Sequence, residues 1–135
     1  MGFSGPLEDR LAIRELIDRY NDGVTCLDVD EWRSTWAEDA EWELMGHRIA
    51  GRDAIVAVWQ QTMSQMEFVG FQTAPGSVEI TGRTATGRAL ATEVLKPKDG
   101  ERRHVFGRYD DTYVKVGDEW FFQTRRYQVL AEYGG

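Results

Sequence analysis

The 135-residue chain is acidic, and its composition argues against a nucleic-acid or anionic-membrane partner. A net charge of −7 leaves no patch of Lys and Arg for phosphate groups, since the densest basic runs are the pairs Arg102-Arg103 and Arg125-Arg126. The single cysteine, Cys26, excludes an internal disulfide, and no residue spacing resembles a zinc site. We therefore expect one domain over residues 1–135 with no metal and no cofactor.

The N-terminal segment has neither the cationic start nor the apolar stretch of a secretory signal. No run of the chain approaches the ~18 apolar residues that a membrane span needs. These features predict a cytoplasmic protein.

The first half of the chain is predicted to be mainly helical. Residues 7–27 place apolar side chains at three- and four-residue steps, as an amphipathic helix does. Residues 28–36 (DVDEWRSTW) predict a short second helix, and residues 51–66 a third. Between these two, residues 40–46 alternate in the manner of a strand.

The second half of the chain has the pattern of long strands. Four runs of ten to fifteen residues, at 68–82, 84–97, 102–116 and 119–133, are joined by glycine-bearing turns. Helices followed by strands predict an α+β domain, with three N-terminal helices packed on a strongly curved antiparallel sheet. Strands of this length must bend, which favours a cone with an open mouth and room for a pocket.

Several motifs resemble the SnoaL-like branch of the NTF2-like superfamily. They are WAEDAEW before the first strand, GRDAI at the third helix, GRTATGRA in the sheet and GRYDDTYVKVGDEWFFQTRRY near the end. The resemblance covers nearly the whole chain and implies the NTF2-like cone. It implies much less about chemistry, because this superfamily includes isomerases, dehydratases, cyclases, hydrolases and non-catalytic binding modules.

The strongest local resemblance is to the scytalone dehydratase and hexachlorocyclohexane dehydrochlorinase group. By this resemblance, the catalytic Asp at the end of the first helix falls on Asp28. The pocket Arg falls on Arg125, and an aromatic pocket residue falls on Tyr109. The EDAEW stretch places Trp42 at the pocket wall.

Two polar partners of that resemblance are missing. The catalytic His that pairs with the Asp is replaced by Gln72 or Thr73, with no other His nearby. Relatives of the bile-acid dehydratase and steroid isomerase type carry a Tyr about five residues before the Asp, where this chain has Gly23. The His–Asp dyad is therefore absent.

Asp28 has two competing interpretations. With Glu31 three residues later it has the form of a capping box, and a cap of about 1 kcal/mol needs no pocket. Alternatively, Asp28 faces a pocket walled by Trp42, Phe68 and Phe71, where loss of water would raise its pKa into the range of a general base.

Strand alternation sorts the remaining candidates. If Tyr109 points inward then Val105 does too, while His104 points away. By the same rule Arg125 shares a face with Tyr127. We therefore include Val105 and Tyr127 among the expected ligand-binding residues.

Glu93 and Thr73 complete the expected ligand-binding set. Glu93 shares a face with Ala91, and an inward carboxylate would need a partner, which Arg125 could be. The alternative is a Glu on the outer face of its strand. His47 lies in a loop, where a surface position is the simpler interpretation.

Two functions remain open from the sequence. The first is a cofactor-independent lyase or isomerase acting on a small apolar cyclic ketone or alcohol, with Asp28 as general base and Tyr109 and Arg125 as polar partners. The second is a non-catalytic hydrophobic-ligand-binding protein or accessory subunit. In both cases the resemblance implies a homodimer or homotrimer formed through the open sheet face.

Overall fold

The computed structural model describes residues 2–134, which form three helices and seven strands. In chain order these are β1 (Phe3–Ser4), α1 (Leu7–Thr25), α2 (Val29–Arg33), β2 (Trp36–Leu44), β3 (His47–Ala50), α3 (Arg52–Ser64), β4 (Met66–Thr81), β5 (Thr84–Pro97), β6 (Arg103–Val116) and β7 (Glu119–Gly134). None of the helices within residues 2–134 has the length and apolar character needed to cross a membrane.

The strands form one sheet in the order β1-β4-β5-β6-β7-β2-β3. The four long strands β4 to β7 pair antiparallel, which confirms the α+β class and the curved sheet that the helices cover. Two pairs are parallel, β1 with β4 and β2 with β7. Alternation of side chains does not encode strand direction, so the sequence pattern did not reveal these two pairs.

Bulges bend the long strands and change their facing pattern. In β7, Gln123 and Leu130 are extra residues at the two register shifts against β6. Each extra residue increases the local twist and reverses the alternation beyond it. As a result Phe122 and Arg125, three positions apart, are both fully buried on the inner face.

The helices pack an aromatic core against the inner face of the sheet. Trp32 of α2 stacks on Trp59 of α3, with ring centroids 4.4 Å apart and planes 10° from parallel. Gly23 of α1 permits this packing, because a Cβ at that position would lie 2.9 Å from the Cβ of Trp32. The glycine that stands where relatives carry a Tyr is thus explained by helix packing.

Candidate functional site

A cavity of about 170 Å³ lies between α1, α3 and the inner face of the sheet. Its wall is mostly apolar, with aromatic side chains and three methionines. Four of the expected ligand-binding residues line it: Trp42, Phe71, Glu93 and Tyr127. Tyr109, predicted as a polar partner, lines it as well.

Glu93 is the carboxyl group in this cavity. It lies on the inner face of β5, which it shares with the buried Ala91, and it forms no ion pair within residues 2–134. Burial raises the pKa of Glu93 to about 7, and the positive charge of Arg103 only partly opposes this rise. A carboxyl group with this pKa exchanges a proton readily at neutral pH.

Two buried donors beside the cavity have no partner within the described part of the chain. They are the Tyr127 hydroxyl and the Trp42 indole N–H. Burial raises the pKa of Tyr127, and the charge of Glu93 raises it further, so this hydroxyl stays protonated at neutral pH. A buried unpaired donor is costly to the fold unless something accepts its hydrogen bond. A ligand oxygen in the cavity would do so.

Arg125 lies beneath the tyrosines and does not line this cavity. Its guanidinium carbon is 3.8 Å from the ring centroid of Tyr109 and 4.5 Å from that of Tyr20. This stacking is the geometry of a cation–π interaction. Burial raises the pKa of both tyrosines although Arg125 opposes the rise, so both remain protonated donors.

Asp111 holds Arg125 in this position. Two oxygens of the carboxylate accept hydrogen bonds from Nε and Nη2 of Arg125 at 2.8 and 3.1 Å, and both side chains are fully buried. Tyr113 donates a further hydrogen bond of 3.0 Å to Asp111. Burial opposes the charge on Arg125, but Asp111 outweighs it and raises the pKa of Arg125 above its ordinary value. The expected contact between Arg125 and Glu93 is therefore replaced by a pair with Asp111.

The structure corrects the expected place of Asp28. Its side chain is exposed and accepts a hydrogen bond of 3.1 Å from the backbone N–H of Glu31, as the N-cap of α2. It is not among the residues that line the cavity. The geometry therefore supports the capping interpretation, because the carboxylate is exposed and accepts a backbone hydrogen bond in the first turn of α2.

Three other expected ligand-binding residues lie outside the cavity lining. Phe68 is 57% exposed, because the register shift between Met66 and Phe68 turns its side chain outward. Thr73 accepts a hydrogen bond of 2.7 Å from the side-chain amide of Asn21. Val105 is buried on the inner face of β6 but packs in the core.

The two histidines take no part in the cavity. His47 is exposed at the start of β3, and His104 is half-buried on β6 at an outward-facing position. Within residues 2–134, no group of three or more His, Cys, Asp or Glu side chains is arranged to hold a metal ion.

Sequence reasoning missed part of the cavity wall. The contributors it did not single out include Tyr20, Trp59, Met63 and Met66. Tyr20 belongs to the apolar stripe of α1. Its hydroxyl group is the one feature in the sequence that distinguishes it from the purely apolar core residues of that helix. The methionines of α3 and β4 gave no such signal, because their position follows only from how the helix is laid over the sheet.

The sequence of this chain matches a known domain family. A sequence profile of the SnoaL-like domain matches residues 5–126. The chain belongs to the SnoaL-like domain family. No curated protein sequence matches this SnoaL-like chain at a significant level.

Several solved structures have a fold similar to that of this chain. A protein named as a candidate aromatic ring hydroxylase from Novosphingobium aromaticivorans is 25% identical, covers 98% of this chain and 96% of its own, and has a TM-score of 0.88. One named as a candidate scytalone dehydratase from the same species is 18% identical over 94% and 87%, with a TM-score of 0.86. Hexachlorocyclohexane dehydrochlorinase of type 3 from Novosphingobium barchaimii is 17% identical over 95% and 90%, with a TM-score of 0.85.

These comparisons confirm the family and the NTF2-like fold that the sequence motifs predicted. The structural neighbours include proteins named for dehydratase and dehydrochlorinase chemistry. At identities below 25% such likeness concerns the fold alone. The chemistry of this SnoaL-like protein depends on the residues of its own cavity.

Proposed function

We propose that this SnoaL-like protein is a cofactor-independent lyase or isomerase that removes a proton from carbon in a small, neutral, cyclic substrate. The observation that carries the proposal is Glu93, an unpaired carboxyl group with a pKa of about 7 in an apolar cavity. Glu93 takes the role of general base that the sequence suggested for Asp28. Proton abstraction next to a carbonyl by a carboxylate needs hydrogen-bond donors to the oxygen and no metal.

The first step transfers a proton from the substrate carbon to Glu93. The electron pair of the broken C–H bond moves toward the carbonyl oxygen, where the Tyr127 hydroxyl and the Trp42 N–H donate hydrogen bonds. The protonated Glu93 then returns its proton to another carbon in an isomerisation. In an elimination, a leaving group departs from the neighbouring carbon with the electron pair, and Glu93 supplies the proton for a leaving hydroxide.

The cavity volume limits the substrate to about one ring. An apolar cavity of about 150 Å³ accommodates benzene, and the cavity here measures about 170 Å³. Glu93 is its one carboxylate, and no Lys, Arg or His lines it among the described residues. An anionic substrate would be repelled there, so a neutral monocyclic ketone or alcohol fits best.

Exchange of the α-protons of a ketone with deuterium tests Glu93 as the general base, and the natural substrate need not be known. We expect the wild-type protein to accelerate exchange in a monocyclic ketone such as cyclohexenone, measured by NMR in deuterium oxide. Glu93→Gln should abolish the acceleration, since an amide cannot accept the proton. The matched control is Glu67→Gln, which removes an exposed carboxylate of β4 that pairs with Lys96. Exchange that survives Glu93→Gln would refute the proposal.

A non-catalytic ligand-binding role is the second candidate. It is favoured by the absence of a His from the cavity lining among the described residues, since a dyad is what the resemblance implied. In that case cyclohexenone and related rings would raise the melting temperature, but no exchange would exceed the rate in buffer. The two functions are thus distinguished by the same samples.

We further propose that the protein assembles into a homodimer or homotrimer through the outer face of its sheet. Leu90, Phe106 and Leu130 form an exposed apolar group there, on the adjacent strands β5, β6 and β7. Contiguous exposed apolar side chains on a sheet face favour association.

A further inference from the structure

We propose that a second cavity, between α1, β4 and β5, binds a small amphipathic organic anion, namely a carboxylate attached to a single ring. The cavity has a volume of about 140 Å³. It shares no lining residue with the cavity that contains Glu93. The proposal is therefore independent of the function assigned to Glu93.

The charges around this cavity are all positive among the described residues. Arg10 and Arg14 are one helical turn apart on α1 and so lie on the same face, and Arg88 of β5 also contributes to the lining. No carboxylate lines the cavity. In a chain with 23 acidic and 16 basic residues, a cavity lined by arginines and by no carboxylate is unexpected.

These arginines are poorly neutralised within residues 2–134. Arg10 and Arg14 form no ion pair there. Arg88 has a contact of 3.6 Å with Asp110, but Arg108 also contacts that carboxylate at 3.3 Å. Arg88 and Arg108 share Asp110 at outward-facing positions of the sheet, so the positive charge for an anion in the cavity comes mainly from Arg10 and Arg14.

Arg10 supplies a donor that needs a partner. Its Nε is buried and makes no hydrogen bond within the described chain. A buried N–H of a charged group without an acceptor is costly, and a ligand carboxylate would relieve that cost. The planar guanidinium also matches the two oxygens of a carboxylate better than a lysine would.

The floor of the cavity is apolar and fits the ring of such a ligand. Ile13 and Ile17 of α1 and the ring of Tyr113 are buried beneath it. Phe3 of β1 stands 67% exposed at its edge, where it can cover a bound ring. The volume is close to the ~150 Å³ that accommodates a benzene ring.

A bulge in β4 forms the remaining wall. Gly76 and Ser77 have no Cα partner on β5, because the register shifts between Pro75 and Val78. Bulges of this kind open a sheet edge and redirect side chains toward a site. Here the bulge lies against Arg88, with a Cβ placed on Gly76 only 3.4 Å from the Arg88 carbonyl oxygen.

Calorimetric titration of the full chain with phenylacetate tests this proposal. Its neutral isostere phenylacetamide and inorganic phosphate serve as ligand controls. We expect phenylacetate to bind, and both controls to bind more weakly by roughly tenfold or more, because the site needs the charge and the ring together. Added salt should weaken phenylacetate binding, since the arginines are near the surface.

Three protein variants locate the binding site. The triple variant Arg10→Gln, Arg14→Gln, Arg88→Gln should lose affinity for phenylacetate by about tenfold or more. Arg19→Gln is the matched control on the same helix, where Arg19 contacts Glu31 instead, and it should bind as the wild type does. Glu93→Gln should also leave binding unchanged, because Glu93 lies in the other cavity.

The following results would overturn the proposal. Equal binding by the triple variant, tight binding of phosphate, or no binding of phenylacetate at millimolar concentration would each exclude the site. So would an effect of Glu93→Gln in place of the arginine variants. If the triple variant does not fold, Arg14→Gln alone decides, because Arg14 is exposed and its substitution is compatible with the helix.

Discussion

At the scale of single residues, Asp28 and Glu93 have opposite surroundings. The side chain of Asp28 is exposed and caps the N-terminus of α2. The side chain of Glu93 lies among apolar side chains and forms no ion pair within residues 2–134. Burial of an unpaired carboxyl group lowers the stability of the fold at neutral pH. Such a cost is retained where the group has a chemical task.

Asp28→Asn provides a direct separation of cap from base. Asn caps a helix about as well as Asp, so we expect stability and α-proton exchange to be unchanged. Asp28→Ala removes the cap and should lower the free energy of unfolding by about 1 kcal/mol, measured by urea denaturation, again with exchange retained. A loss of exchange in Asp28→Asn would show that Asp28 is the base after all.

Glu93 should also make stability depend on pH. Its pKa in the folded protein is about 7, above the ordinary value of 4.5, so the folded state holds this proton more tightly than the unfolded state. The stabilisation is complete below pH 4.5, is lost as the pH rises toward 7, and changes no further above that. The total is on the order of 3 kcal/mol.

Denaturation of Glu93→Gln and wild type from pH 5 to 8 measures this contribution. The variant should gain stability relative to the wild type as the pH rises, because it has no charge to bury. Glu67→Gln corrects for the loss of one carboxylate from the protein. Parallel curves for Glu93→Gln and wild type would mean that Glu93 is well hydrated in the folded state.

At the scale of elements, strands β6 and β7 fix the position of the donor Tyr127. Its ring lies directly over Gly107, and a Cβ added to Gly107 would overlap the ring and the hydroxyl. The neighbouring Tyr109 is tilted against Tyr127 with ring centroids 4.8 Å apart. The absence of a side chain at position 107 is therefore a condition for the geometry of the cavity.

Gly107→Ala should displace Tyr127 and disturb the cavity. We expect a loss of about 1–3 kcal/mol in the free energy of unfolding, the usual cost of overpacking, together with reduced α-proton exchange. Gly134→Ala is the matched control in β7, since a Cβ there meets no atom within 4 Å. Unchanged stability and exchange in Gly107→Ala would show that Tyr127 is mobile and is not a positioned donor.

The bulges and registers of the strands explain which side-chain positions the sequence could predict. Strand alternation correctly put Glu93 on the same face as Ala91, and Tyr127 on the same face as Arg125, because no bulge lies between the two residues of either pair. It failed for Phe68, which follows a register shift that residue types do not announce. The pairing of Arg125 with Asp111 was also missed, since it depends on the cross-strand register of β6 and β7.

At the scale of the whole molecule, the motifs were sufficient for the fold but not for the site. Helix order, strand lengths and family motifs predicted the cone, since these features are encoded locally along the chain. The cavity arises where α1, α3 and the bent sheet meet, and its contents depend on contacts between distant segments. A carboxylate on β5 could thus replace one expected at the end of α1.

Assembly through the outer sheet face is a prediction for the whole molecule. Phe106→Glu places a charge within the exposed apolar group of Leu90, Phe106 and Leu130 and should shift the protein toward monomer. Light scattering after size-exclusion chromatography measures the mass. Val116→Glu, at an exposed position near the end of β6, is the control and should leave the mass unchanged. A wild-type protein that is already monomeric would contradict this prediction.

The proposed mechanism requires that the fold keep the Glu93 carboxyl group largely away from water. Titration of the side-chain carboxyl carbons by ¹³C NMR, with Glu93→Gln used to assign the signal, measures this directly. We predict that Glu93 titrates with a midpoint of about 7. A midpoint at the ordinary value of 4.5 would contradict the proposed base and the function built on it.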